Sequence, residues 1–203
     1  MIITKLERQK SRRGRWSVFV DNEFVFGLDE ADVLYYKLRE GGEISPERLK
    51  YLNEQVVLVK ASQKALDFLA RRPRTVKEIE QKLSEEYAPD ITARVTDMLN
   101  EYNYTDDASY AAEYVKERLN AGYGPVKIEW ELRGRGISQE LIDTALEQSD
   151  KIIIQSAVES LRVKYRNNPV MDDKEKARAY NFLLRRGFDT DTVEEAIRFF
   201  LAK

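Results

Sequence analysis

The side chains with the most chemistry to offer in this chain are arginines and one oddly placed tyrosine. Arginine recurs in three clusters, Arg71-Arg72-Pro73-Arg74, Arg133-Gly134-Arg135 and Arg185-Arg186, and Gly122-Tyr123-Gly124-Pro125 sets an aromatic ring between two glycines. A guanidinium stays protonated at neutral pH and presents a fixed fork of N–H donors that fits carboxylates and phosphates. Such groups bind and orient; they do not shuttle protons. Cys and His are both absent, which removes disulfides, Cys/His zinc sites and thiol or Ser–His nucleophiles from consideration. Acid–base chemistry near neutral pH would rest on shifted carboxylates, Lys or Tyr. Neither a G-x-x-x-x-G-K-[ST] phosphate loop nor a G-x-G-x-x-G turn is present. The expectation is a binding protein with no cofactor and no metal, not an enzyme.

The net charge of −2 over 203 residues conceals a pattern. Counting Lys+Arg against Asp+Glu, residues 1–16 carry six against one, 17–59 four against nine, 60–150 thirteen against eighteen, and 151–203 eleven against eight. A basic start and a basic end flank an acidic middle. Attraction to nucleic acid would therefore come from local clusters and not from the whole field. No apolar run approaches the roughly 18 residues needed to span a bilayer. The basic stretch Met1–Arg15 lacks the apolar core of a secretion signal, so a cytoplasmic protein with no membrane contact is expected.

The elements that must position these residues read mainly as helices. Residues 2–28 are the exception: Ile2–Leu6, Trp16–Val20 and Glu23–Phe26 favour strands, with Asp21-Asn22 as a turn, giving a small antiparallel meander. Arg12-Arg13-Gly14-Arg15 in its first turn could grip phosphate. A short helix capped at Leu28-Asp29 is expected through Leu38, with Leu34 and Leu38 on one face, ended by Gly41-Gly42. Ser45-Pro46-Glu47 then starts a helix running to Arg72, with Leu49, Leu52, Val56, Val59 and Leu66 on its apolar face.

From about residue 60 the chain repeats itself in three segments of about 45 residues. In each, a second helix ends at a Leu and a third opens on an aliphatic residue eight or nine positions later: Leu83 and Ile91, Leu132 and Leu141, Leu184 and Val193. Val95, Ala145 and Ile197 extend the pattern. Gly136-Ile137 and Gly187-Phe188 fit a left-handed helix end followed by an apolar side chain folding back, and Asp90, Ser138 and Asp189 are placed to cap the following helices. The predicted layout is residues 1–44 for the meander and short helix, 45–104 for a linking helix and first repeat, 105–150 and 151–203 for the second and third repeats.

Packing accounts for nearly all the aliphatic residues but leaves the arginines open to two readings. All three clusters lie at or near helix C-termini, where a cation gains about 0.3–1 kcal/mol from the helix dipole. They could equally reach an acidic partner or phosphates. Asp106-Asp107 reads as a helix N-cap. Tyr123 is either part of a tight connector or a contact residue presented on it.

The strings Ala65-Leu-x-Phe-Leu-Ala-Arg-Arg-Pro-Arg-Thr75, Glu78-Ile-x-x-Lys-Leu83, Tyr104-x-Asp-Asp-x-x-Tyr-Ala-x-x-Tyr-Val115, Arg118, Gly122-Tyr-Gly-Pro125, Ile128-x-x-Glu-Leu132, Arg135-Gly-Ile137 and Leu184-Arg-Arg-Gly-Phe-Asp189 resemble, in order, the bacterial regulatory protein family RecX. The first repeat departs from it, with Glu86-Tyr87 where a Gly-aromatic pair is usual, and the connector Asn167–Asp173 is only loosely similar. The resemblance implies an elongated, curved array of three tandem three-helix repeats. It also implies a monomeric negative modulator that sits in the groove of the RecA–single-stranded DNA filament and restrains growth, ATP hydrolysis, strand exchange and co-protease activity. On that reading the contacts fall on Arg71, Arg72, Arg74, Arg118, Tyr123, Lys127, Arg133, Arg135, Arg185 and Arg186. The alternatives are a helical-repeat nucleic-acid-binding module, with weak contact to single-stranded DNA, and an adaptor for another protein.

Overall fold

Three short strands open the chain: β1 (Ile3–Arg8), β2 (Arg15–Val20) and β3 (Glu23–Asp29), paired antiparallel in the order β1-β2-β3. Val20 faces Glu23 across the β2–β3 turn, and Asp21 and Asn22 both adopt left-handed backbone (φ 50° and 70°). That pair of positive φ values is what a two-residue hairpin needs to match the twist of its strands. The computed structural model describes residues 1–10, 14–166 and 170–202. Arg12 and Arg13 of the proposed phosphate-gripping turn lie outside the described residues.

Helices form the rest of the chain, which divides into two compact units, Met1–Thr105 and Asp106–Lys203, each with its own apolar core. In the first unit α1 (Glu30–Tyr35) is shorter than its sequence suggests. Lys37 turns left-handed (φ 51°) and the Leu38 N–H bonds the Val33 carbonyl at 2.9 Å, so Leu38 folds into the core while Leu34 is left 71% exposed. The long helix follows as α2 (Pro46–Tyr51), a π-helical stretch (Leu52–Val57) and α3 (Leu58–Leu69). The Ser45 hydroxyl caps it by accepting from the Arg48 N–H at 3.2 Å. The expected apolar face fails at Val59, which is exposed. Hydrogen bonds in a π turn span one residue more than in an α turn. The buried face consequently advances to Leu52, Val56, Val57, Ala61 and Ala65.

A capping box between Thr75 and Glu78 starts α4 (Val76–Ser84). The next helix, α5 (Pro89–Glu101), has Ala88 as its cap residue and Pro89 at its first position. Asp90 is therefore inside the first turn, not at the cap position expected of it.

The second unit holds α6 (Asp107–Asn120), α7 (Pro125–Gly134), α8 (Gln139–Glu147), α9 (Asp150–Tyr165), α10 (Asp173–Arg185) and α11 (Thr190–Leu201). Asp106, Ser138 and Asp189 accept from the N–H groups of Ser109, Leu141 and Thr192 at 2.9, 3.4 and 2.8 Å, so these three caps form where expected. Three helices end in one hydrogen-bond pattern. Tyr123 N–H returns to Arg118, Ile137 N–H to Leu132, and Phe188 N–H to Leu183, at 3.0, 3.1 and 3.2 Å. The residue before each is a left-handed glycine, Gly122, Gly136 or Gly187. This is the glycine-ended helix cap. It also corrects the repeat register by one residue. The buried series are Leu132, Ile137, Ile142, Ala145 and Leu183, Phe188, Val193, Ala196, with Leu141, Leu184 and Ile197 only partly buried beside them.

Candidate partner-binding surface

The cap that ends α6 differs from its two counterparts in one respect that organises the surface. In the α7 and α10 versions the residue folding back is Ile137 or Phe188, buried against a Leu. In the α6 version Tyr123 folds back onto Arg118, with the guanidinium 3.9 Å from the ring centre. An apolar clasp has become a cation on an aromatic face, a contact worth roughly 0.5–2 kcal/mol depending on exposure. Lys127, in the first turn of α7, adds its ammonium at 4.3 Å, and Arg186 approaches the same ring at 5.4 Å.

Backbone contacts explain why Arg186 is there. The Gly124 N–H donates to the Arg186 carbonyl (2.8 Å), the Val126 N–H to Gly187 (3.0 Å), and the Arg186 guanidinium donates to the carbonyls of Ala121 and Gly122, each at 3.0 Å. A Cβ on Gly124 would lie 2.3 Å from the Gly187 carbonyl carbon and the Phe188 nitrogen. Gly124 is thus required for close approach of two backbones. The Gly-Tyr-Gly-Pro turn is a joint between the second and third repeats, with Tyr123 half-buried in it.

From Tyr123 the alternation of cation and ring extends both ways. Arg118 grips Glu131 with two bonds of 2.8 and 2.7 Å, Tyr114 donates to the same carboxylate at 2.9 Å, and Arg135 stands 5.0 Å over Tyr114, which stacks on Tyr110. On the other side Arg186 is 4.9 Å and Lys164 3.8 Å from the ring of Phe182. Partial burial disfavours the ionised Glu131, but the bonds from Arg118 and Tyr114 outweigh it and hold the carboxyl below its ordinary range. Lys164 shows the opposite balance. Desolvation, then the charges of Arg185 and Arg186, lower its ammonium below the usual lysine range.

Of the residues singled out from sequence, the structure gathers Arg118, Tyr123, Lys127 and Arg186, and joins Arg135 to them through Tyr114. Arg185 enters through its charge on Lys164. Arg133 stands apart, bonded to Glu129 and Gln139 at 2.7 Å each. Arg71, Arg72 and Arg74 belong to the Met1–Thr105 unit. There Arg71 is exposed, Arg72 lies 3.7 Å from Glu78, and Arg74 stacks on Phe68 at 3.9 Å.

Family models cover this architecture piece by piece. Residues 1–45 match "Regulatory protein RecX N-terminal domain", and residues 61–99, 106–146 and 153–197 match the first, second and third three-helix domains of RecX. The chain belongs to the RecX family. A regulatory protein RecX from Clostridium botulinum (strain Eklund 17B / Type B) is 32% identical, with 97% of this chain and 94% of the relative covered. One from Bacillus subtilis (strain 168) is also 32% identical, over 96% of this chain and 75% of the relative. Among solved structures, a regulatory protein RecX aligns with TM-score 0.64 and 28% identity over 98% of both chains. RecX from Lactobacillus salivarius aligns with TM-score 0.64 and 26% identity over 72% of this chain. The chain is thus a mainly helical protein of a regulatory family, and no described helix is long and apolar enough to cross a membrane.

Within the RecX frame, four participants escaped sequence reasoning: Tyr114 as a ring beneath Arg135, Glu131 as the shared acceptor, and Lys164 and Phe182 beyond Arg186. Tyr114 and Arg118 sit four residues apart on α6, and Phe182 and Arg186 are likewise four apart, which is contact spacing on a helix. Lys164 carries no comparable signal, because it reaches Phe182 from another helix.

Proposed function

We propose that this RecX-family chain is a negative modulator of the RecA recombinase, acting in the cytoplasm in DNA recombination and repair. As a monomer, it binds in the groove of the RecA–single-stranded DNA filament and restrains filament growth, ATP hydrolysis, strand exchange and co-protease activity. The observation that carries this reading is the run of cations and aromatic rings around Tyr123. It supplies an array of donors held in place by their own stacking, and it contains no arrangement that would pass a proton to a substrate. Inhibition on this account is steric and electrostatic. Binding energy is spread over a repeat surface and no bond is made or broken. The exposed cations Arg71, Arg133 and Arg185 add weak, salt-dependent contact with single-stranded DNA.

RecA's single-stranded-DNA-dependent ATP hydrolysis, titrated with this protein at fixed moderate salt, tests the proposal. Substoichiometric protein is expected to suppress hydrolysis. Changing Arg133 and Arg135 together to Ala is expected to raise the half-inhibiting concentration roughly tenfold, as loss of contacts to charged groups does. Unchanged hydrolysis at several-fold excess over RecA would sink the recombinase reading in favour of an adaptor for a different protein.

A further inference from the structure

Beside the Tyr123 joint, the Asp106–Lys203 unit leaves a groove of about 780 Å³ between the end of α6, the flank of α9 and Phe182 of α10. Leu119, Ile152 and Val163 give it an aliphatic part, Val163 being 75% exposed, beside the polar Gln155, Ser156 and Ser160. Lys164 and Arg186 also line it, and both stand over the Phe182 ring. Arg186 donates from Nη1 to two neutral carbonyls, so its charge is not cancelled. Neither Lys164, Arg185 nor Arg186 forms an ion pair with a carboxylate among the described residues. The carboxylate on the groove wall, Glu159, is engaged by Arg162 at 3.3 Å.

An apolar trough with an uncompensated cationic rim selects its occupant by chemistry. We propose that the groove receives a peptide segment of a protein partner in which an aliphatic or aromatic side chain adjoins carboxylates. The apolar side chain would lie on Leu119, Ile152 and Val163, and the carboxylates would meet Lys164 and Arg186. The lowered ammonium of Lys164 agrees with a cluster awaiting counter-charge. A nucleic-acid strand fits less well. The Tyr123 and Phe182 rings already carry cations, which occupies the faces on which bases would stack. Phosphates would engage the cationic rim and leave Leu119, Ile152 and Val163 uncovered. The groove's ligand chemistry stands independently of the recombinase reading.

Fluorescence anisotropy of the full chain with a labelled peptide, Glu-Asp-Leu-Phe-Glu-Asp-Glu, provides the test. The controls are its amide counterpart Gln-Asn-Leu-Phe-Gln-Asn-Gln, the peptide with Ala-Ala replacing Leu-Phe, and an unlabelled oligothymidylate competitor. The acidic apolar peptide is expected to bind saturably, with both control peptides weaker by roughly tenfold or more, the scale of a lost charge-assisted bond or a lost buried side chain. Lys164→Glu, which reverses the rim charge, and Gln155→Trp, which fills the groove from an exposed position, should each weaken it by about the same factor. Their thermal unfolding midpoints should stay near that of the parent. Equal binding of the amide peptide, no saturable binding of any peptide, or indifference to both substitutions would overturn the proposal. Displacement of the acidic peptide by oligothymidylate at lower concentration than by unlabelled peptide would overturn it in favour of a nucleic-acid site. Recombinase is absent from the assay, so failure here leaves the recombinase reading standing, and failure of the hydrolysis assay leaves the groove untouched.

Discussion

The two compact units use the same kind of side chain for opposite ends. In Met1–Thr105 Arg15, Lys60 and Lys64 are spent on carboxylates. Arg15 of β2, 6% exposed, bonds Asp29 at 3.2 Å and the carbonyls of Gly27 and Glu86 at 3.3 and 3.0 Å, and stacks on Tyr87 at 4.8 Å. Lys60 of the long helix bridges Asp29 and Asp32 at 2.8 and 2.5 Å, and Lys64 pairs with Glu86. These bonds fasten the meander to the helices beneath it. In Asp106–Lys203 Lys127, Lys164 and Arg186 lie instead on aromatic faces or carbonyl oxygens, which hold a charge in place without neutralising it. One arrangement is a rivet and the other is a display. Counting arginines would not separate them; only the identity of the partner does.

The sharpest way to break the comparison is to remove a rivet. Arg15→Met leaves Lys60 on Asp29 and Lys64 on Glu86 as the remaining cations, but strips the Gly27 and Glu86 carbonyls of a buried charged donor, a loss of about 2–3 kcal/mol. Denaturant unfolding followed through Trp16, in the same strand, should show that loss, and a change under about 1 kcal/mol would deny Arg15 its fastening role. Next comes Gly124→Ala in the second unit. A methyl group 2.3 Å from the backbone of Gly187 and Phe188 forces the joint apart, at roughly 1–3 kcal/mol as for other overpacked sites. Trp130 on α7 is placed to report it. Substitution without cost would show that the two backbones are not held at that separation.

How much of this was legible in the residues follows from the range of each interaction. Local rules located the Asp21-Asn22 turn and the Ser45, Asp106, Ser138 and Asp189 caps, because each is decided within four residues. Two of the three glycine-ended helices, at Gly136 and Gly187, were readable for the same reason. The register of the repeat was not. A helix face is broad enough for Leu183 and Leu184, or Leu141 and Ile142, to compete for the core, and only tertiary packing chooses between them. Val59 was misplaced because nothing local announces a π turn. The site was half visible. Arginine clusters and Tyr123 stand out by type, but Glu131 and Lys164 acquire meaning from helices that meet in space. The same limit hid the difference between Arg133, tied to Glu129, and Arg186, tied to carbonyls.

A finer test concerns Glu131, the carboxylate that Arg118 and Tyr114 hold within the display. Its carboxyl is held below the ordinary range, since the bonds from Arg118 and Tyr114 outweigh the effect of burial. A group lowered on folding stabilises the native state above its unfolded pKa, near 4.3 for glutamate, and that contribution fades as pH falls through the lower folded value. Glu131→Gln should therefore cost about 1 kcal/mol at pH 7, as for a partly exposed charged bond, and flatten the acid limb of a stability–pH curve. Asp29 in the first unit is lowered as well, with Lys60 and Arg15 overcoming burial, so Asp29→Asn should flatten the curve in the same direction. An unchanged acid limb in Glu131→Gln would mean that Arg118 is positioned by Tyr123 alone.

The smallest expected effect on stability is the most informative about function. Arg185 is exposed at the end of α10 and bonds no carboxylate among the described residues, while its charge presses on Lys164. Removing it costs only a helix-dipole contribution of about 0.3–1 kcal/mol, and relieves like-charge repulsion, so the two changes oppose each other. Arg185→Ala should leave the unfolding midpoint within error while raising the half-inhibiting concentration in the recombinase assay severalfold. Arg15→Met, assayed well below its own unfolding transition, should do the reverse, with stability lost and inhibition kept. If instead both substitutions moved stability and inhibition together, the division into fastening and displayed cations would fail, because the charge of Arg185 would then be holding the fold as the charge of Arg15 does.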